Sequence, residues 1–95
     1  MTYRQLIRTL EIAASHRGGL DTECLDMWAE HDEHGINIKS ITAKEARELS
    51  EMGWLLGCDV EYNEEDQEIW ENPSKHTDEE LLEIYNNYGG VYKYE

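Results

Sequence analysis

The densest group of potential metal ligands is the run His31-Asp32-Glu33-His34, and Cys24 and Cys58 are the two thiols that could complete a Zn²⁺ site with it. The spacing argues against that chemistry. A His-x-x-His step in a turn lacks the i,i+4 helical geometry that sets two imidazoles on one side of an ion, and no Cys-x-x-Cys pair supplies the other half of a site. A solvated turn is the simplest account of the run, a loop that touches a partner is the second, and a metal-binding loop is the third. Paired carboxylates could serve as acid and base where burial raises one pKa. With 22 Asp and Glu in 95 residues such pairs arise without selection, and no Ser/His/Asp or Cys/His arrangement accompanies them. Gly18-Gly19 and Gly89-Gly90 read as helix stops and not as phosphate cradles. The sequence therefore points away from catalysis, and no cofactor is expected.

A different pattern carries more information. From Arg47 to Lys75 the chain runs 27 residues without Lys or Arg while carrying nine acids: Glu48, Glu51, Asp59, Glu61, Glu64, Glu65, Asp66, Glu68 and Glu71. Unpaired acids repel one another and destabilise a compact chain, so such a run suggests an electrostatic binding surface. Crowding of this kind also raises carboxyl pKa values, which predicts stability that rises with salt and on mild acidification. Residues 1–19 set three Arg (Arg4, Arg8, Arg17) against Glu11 alone, whereas the remainder is strongly acidic and the whole chain carries −14.

That charge argues against direct contact with nucleic acid, which needs a cationic stripe to release counterions, and anionic membrane is excluded similarly. No 18-residue apolar run or signal-like segment is present, and two cysteines fit reduced thiols better than a disulfide framework, so a soluble, cytoplasmic protein is expected. Ninety-five residues make one domain, and 39% hydrophobic content with three Trp and six Tyr suffices for a core.

The elements that must position these groups follow from spacing. Thr2 with Gln5 forms a capping box, and Tyr3, Leu6, Ile7, Leu10, Ala13 and Ala14 recur at helical intervals, predicting a helix over about 3–16. Leu25, Met27 and Ala29 alternate with Cys24, Asp26 and Trp28 in a strand over 23–30, which turns through 31–35 into Ile36-Asn37-Ile38 as a hairpin. If the first set faces the core, Trp28 faces outward as an interface anchor. Thr42 with Glu45 caps a helix over 43–52 that stops at Gly53. A second hairpin is expected from Trp54 through Cys58, Val60 and Tyr62, turning at 63–66 and returning over 67–71, with Trp54 and Trp70 in the core. Thr77 with Glu80 caps a third helix over 78–88, and the tail 91–95 reads as an edge strand or a frayed end. The predicted fold is α+β, an antiparallel sheet of two hairpins with three helices in the order α-ββ-α-ββ-α covering one face.

Two local patterns, Trp28-Ala29-Glu30-His31-Asp32 closing a strand and Leu49-Ser50-Glu51-Met52-Gly53-Trp54 ending a helix ahead of an acidic segment with Trp70, together resemble small proteins encoded by tailed bacteriophages and prophages. The resemblance covers roughly residues 25–71. It implies a phage setting in the host bacterial cytoplasm, where some small, very acidic proteins block defence by presenting carboxylates in place of DNA phosphates. Alternate residues on a strand lie roughly 6.6 Å apart, close to two phosphate steps of about 3.4 Å. Asp59, Glu61, Glu64, Glu65, Asp66, Glu68 and Glu71, with Trp28, are therefore the expected partner-binding residues. The expected function is an acidic inhibitor or redirector of a host protein with a basic or nucleic-acid-binding surface, in the manner of a DNA mimic. An alternative is a homo-oligomer in which the basic first helix docks on the acidic face of another copy. A third is metal binding by the 31–34 loop.

Overall fold

The computed structural model describes residues 1–24, 27–30, 33–57 and 63–94, the side chains of Glu30 and Tyr94 excepted. The elements are α1 (Tyr3–Ser15), β1 (Met27–Glu30), β2 (Glu33–Ile36), α2 (Ala43–Glu51), β3 (Leu55–Leu56), α3 (Glu64–Glu71), a 3₁₀ turn over Pro73–Lys75, α4 (Asp78–Tyr88) and β4 (Val91–Tyr94). All three capping boxes form: in α1, α2 and α4 the Thr hydroxyl accepts the N3 backbone N–H, and the N3 Gln or Glu accepts from the Thr backbone. Helix α4 ends at Gly89, whose φ of 69° is the left-handed turn that glycine adopts without steric cost.

The α+β class stands, with a four-stranded antiparallel sheet of order β1-β2-β4-β3. Three details differ from the sequence reading. The described residues hold four α-helices, because 64–71, expected as part of the turn and the return strand of a second hairpin, is α3. Among the described residues the local hairpin is β1–β2, and β3 pairs with β4. The tail is an interior strand between β2 and β3, and it is neither an edge nor frayed.

Antiparallel register sorts the side chains by face. Met27, Ile36, Val91 and Leu56 stand in one row, and Ala29, His34 and Lys93 share their face. Ile36, Val91 and Leu56 are buried beneath the helices together with Ile12, Leu49, Trp54, Trp70, Leu81 and Tyr85. Met27 and Ala29, on the edge strand, are exposed. The opposite face carries the row Trp28, Gly35, Tyr92 and Leu55.

Polar hooks fix the large rings of the core. Trp70 Nε1 donates to the Trp54 carbonyl at 2.6 Å, Trp54 Nε1 donates to the Thr9 hydroxyl at 3.0 Å, and Ser50 donates to the Trp70 carbonyl at 2.6 Å. The Tyr85 hydroxyl donates to the Ile38 carbonyl. Each ring thus keeps its polar atom satisfied while burying its apolar body, the condition under which Trp and Tyr suit a core.

Helix α1 sits on this framework in an unexpected orientation. Its buried residues are Thr9, Ile12 and Ala13, while Tyr3 and Ile7 are exposed and Leu6, Leu10 and Ala14 half-buried. Most of the apolar series that predicts the helix therefore does not face the core. Arg8 on α1 and His16 at its C-cap bind α2: Arg8 reaches Glu48 and His16 reaches Glu45.

Candidate functional site

The acids expected to bind a partner are placed chiefly by α3. Asn63 caps it, its side chain accepting the Glu65 backbone N–H at 2.9 Å, and Glu64, Glu65 and Asp66 fill the first turn. Negative charge is stabilised there by the unsatisfied N–H groups of the helix start. Gln67 and Trp70 face inward, so Glu64, Glu65, Glu68 and Glu71 are exposed on the outer side. Glu64 and Glu68 are one turn apart, and Glu71 is three residues further along the same stripe.

The group is not uniform. Asp66 is half-buried and accepts the Tyr88 hydroxyl at 3.0 Å, which ties α3 to α4 and gives this acid a structural role. Glu71 accepts from the Gln67 side chain at 3.1 Å. Glu64, Glu65 and Glu68 form no salt bridge among the described residues. A shallow hollow of about 280 Å³ beside them is lined by Glu65, Glu68, Ile69, Asn72, Lys75 and His76. Asp59 and Glu61 lie outside the described residues. The assumption that these acids stand on a strand face does not hold for α3. Glu64, Glu65 and Asp66 begin a helix just as Asp78, Glu79 and Glu80 begin α4.

Trp28 is not part of this surface. It stands on β1 at one edge of the sheet, whereas α3 packs against β3 at the other edge, together with α2 and α4. Its half-buried indole lies over Gly35 on the sheet face away from the helices; a Cβ at Gly35 would come within 2.4 Å of the ring.

Elsewhere Arg8, Arg47 and Lys93 are committed within the fold. Arg8 donates to both carboxylate oxygens of Glu48 at 3.1 and 2.8 Å, and this hydrogen bonding raises its pKa further against the opposing effect of burial. Arg47 donates to Asp78 and to the Pro73 and His76 carbonyls and lies 3.7 Å from Glu51; its bond to Asp78 is the main cause of a raised pKa. Lys93 donates to the Met52 carbonyl at 3.0 Å and lies over the Trp54 ring. Burial pushes the Glu45 carboxyl up, but bonds from the Thr42 backbone, His16 and the Thr42 hydroxyl outweigh it and hold the group below its ordinary value. Glu80 is likewise held low, first by His76 and then by the Thr77 backbone.

Glu33 and His34, placed in a turn by the sequence reading, belong to β2, and the His34 ring packs edge-on against Trp54 with centroids 5.7 Å apart. His31, Asp32 and Cys58 lie outside the described residues, and among the described ones no three His, Cys, Asp or Glu side chains cluster to hold a metal ion. No helix among them is long and apolar enough to cross a membrane.

A second surface escaped the sequence reading. A groove of about 670 Å³ opens between the start of α1 and β1, bordered by Tyr3, Leu6, Met27, Trp28, Ala29 and His34, with no acid among the described residues that line it. The signal was available in the helical series itself, since Tyr3 and Ile7 stand about half a turn round from Thr9 and Ile12. No family model, curated protein or solved structure matches the chain.

Proposed function

We propose that this chain is a phage-encoded binding protein that inhibits or redirects a host protein by offering it the acidic outer side of α3. The observation that supports this most is the set Glu64, Glu65 and Glu68, exposed and without an ion pair among the described residues, in a chain whose Arg8 and Arg47 neutralise acids elsewhere. A cationic partner surface would relieve their mutual repulsion on binding, and steering by a net charge of −14 would speed encounter. The partner class is a host protein with a nucleic-acid-binding surface, a defence enzyme among them. Along a helix the step from Glu64 to Glu71 advances about 10.5 Å, against about 10.2 Å for three phosphate steps on one DNA strand. DNA mimicry therefore carries over from the strand geometry first envisaged to a helical one.

The test is capture from bacterial lysate at low and moderate salt with wild type and with Glu64→Gln/Glu65→Gln/Glu68→Gln, circular dichroism verifying that α3 persists. A partner lost from the variant and eluted by salt supports the reading. Equal capture by both proteins removes it. Docking of the basic first helix on another copy's acidic face finds less support, because Arg8 is held by Glu48 of its own chain.

A further inference from the structure

Tyr3, Ile7, Leu10 and Ala14 follow one another at steps of four, three and four residues, the spacing of a and d positions along a coiled-coil seam. On α1 this seam faces away from the core. Tyr3 is 88% and Ile7 57% exposed, Leu10 and Ala14 are half-buried, and the fully buried Ile12 lies roughly 180° round the helix from Tyr3. All the large apolar side chains exposed among the described residues belong to this region: Met1, Tyr3 and Ile7 at and before the first turns, Leu20 just after the helix, and Met27 beside the groove. An apolar strip of this kind on a very acidic protein marks a contact surface.

We propose that α1 is a homodimerisation surface that pairs antiparallel with the same helix of a second copy about a two-fold axis. Antiparallel pairing sets Tyr3 against the partner's Ala14 and Ile7 against the partner's Leu10, so that the large ring meets the small side chain and each layer is matched in volume. Parallel pairing would oppose Tyr3 to Tyr3 and Ala14 to Ala14, crowding one end and leaving a void at the other. The flanking charges complement the same arrangement. Arg4 and Glu11 each follow a seam residue by one position, and antiparallel helices bring Arg4 of each copy beside the partner's Glu11. Arg4 is exposed and has no ion pair among the described residues, and Glu11 has only a loose contact of 3.7 Å with Arg8. Reversal of direction also carries Leu20 after one helix toward the groove at the start of the other. The acids of α3, which packs on β3, α2 and α4, stay outside the seam.

Sedimentation equilibrium of the full chain from about 1 to 100 µM at moderate salt tests the pairing. The wild type is expected to dimerise, and Ile7→Glu, at an exposed site, to weaken association ~100-fold without lowering the melting temperature measured at about 1 µM or below, where the dimer contributes least. Arg4→Glu and Glu11→Arg are each expected to weaken it ~10-fold, and the double exchange to restore it, because the reversed charges face each other again. Raised salt should leave the dimer in place, whereas docking of basic helix on acidic face would dissociate. A wild type monomeric at about 100 µM overturns the proposal. So does an Ile7→Glu variant that still dimerises, or a double exchange no tighter than the singles.

Discussion

The two ends of the molecule use opposite kinds of attachment. At the acidic end, α3 shows carboxylates to solvent while Trp70 anchors it, fully buried, bonded through its indole N–H to Trp54 and through its carbonyl to Ser50. At the other end, α1 shows apolar side chains to solvent and is fastened by buried Ile12 and Ala13 together with three polar contacts: Thr9 to Trp54, Arg8 to Glu48, His16 to Glu45. A side chain's type thus does not fix its side of the fold. Charge on α3 is tolerated because an aromatic anchor holds the helix against the core, and apolar exposure on α1 is compatible with a helix whose fastening is directional.

The largest effect that contrast predicts is at the anchor. Trp70→Ala should cost about 3–5 kcal/mol, as removal of a buried aromatic usually does, and it also strands the Trp54 carbonyl. For a domain of this size that loss approaches the whole stability, so urea unfolding should show a greatly lowered midpoint or no transition. A midpoint near wild type would mean that α3 is held by something other than Trp70.

How far the sequence reading reached follows the same division. Capping boxes are local chemistry, and Thr2, Thr42 and Thr77 marked three helix starts correctly. Helix α3 was missed because Asn63 through Asp66 has turn composition, although Asn is equally a cap and three acids after it suit a first turn. Helix propensity over 64–68 was a further signal of the helix that the hairpin reading did not use. The interior place of Val91–Tyr94 depends on pairing with β2 and β3, partners far off in sequence, which no local pattern reveals. Trp54 and Trp70 were rightly assigned to the core on size alone. The orientation of α1 was hidden because the apolar series and the buried face overlap only at Ala13.

A smaller effect is expected at the polar fastening of α1. Arg8→Ala removes a two-point contact with Glu48, but both side chains are partly exposed, at 41% and 31%, so solvent screening limits the loss to roughly 0.5–1 kcal/mol. The difference from wild type should shrink as salt is raised in thermal melts. An Arg8→Ala loss comparable to that of Trp70→Ala would erase the distinction between the two ends.

Acid titration sharpens the comparison further, since Glu45 fastens α1 and Glu80 opens α4. Both carboxyls are held below their ordinary value of 4.5, so near and below that value the folded chain binds fewer protons than the unfolded one. Their stabilisation is complete above the ordinary value and is lost as pH falls through the lowered ones. The melting temperature should therefore fall from about pH 5 to pH 3, and Glu45→Gln should flatten part of that slope. For these two groups the sign is opposite to the rise that crowded acids predict. A melting temperature that climbed steadily to pH 3 would show repulsion to dominate over them.

The smallest effect belongs to the most exposed apolar side chains. Tyr3→Ser with Ile7→Ser removes two large hydrophobic groups, yet Tyr3 is 88% and Ile7 57% exposed, so little burial is lost within the chain. Measured at protein concentrations of about 1 µM or below, where self-association contributes least, stability should change by no more than about 0.5 kcal/mol. Fluorescence of a hydrophobic dye should drop at the same time, because the strip that would bind it is gone. Loss of more than about 2 kcal/mol at such dilution would mean that these residues pack within a single chain, as Trp70 does on α3. Unchanged stability with reduced dye binding identifies the outward side of α1 as a surface kept apolar for something other than the fold.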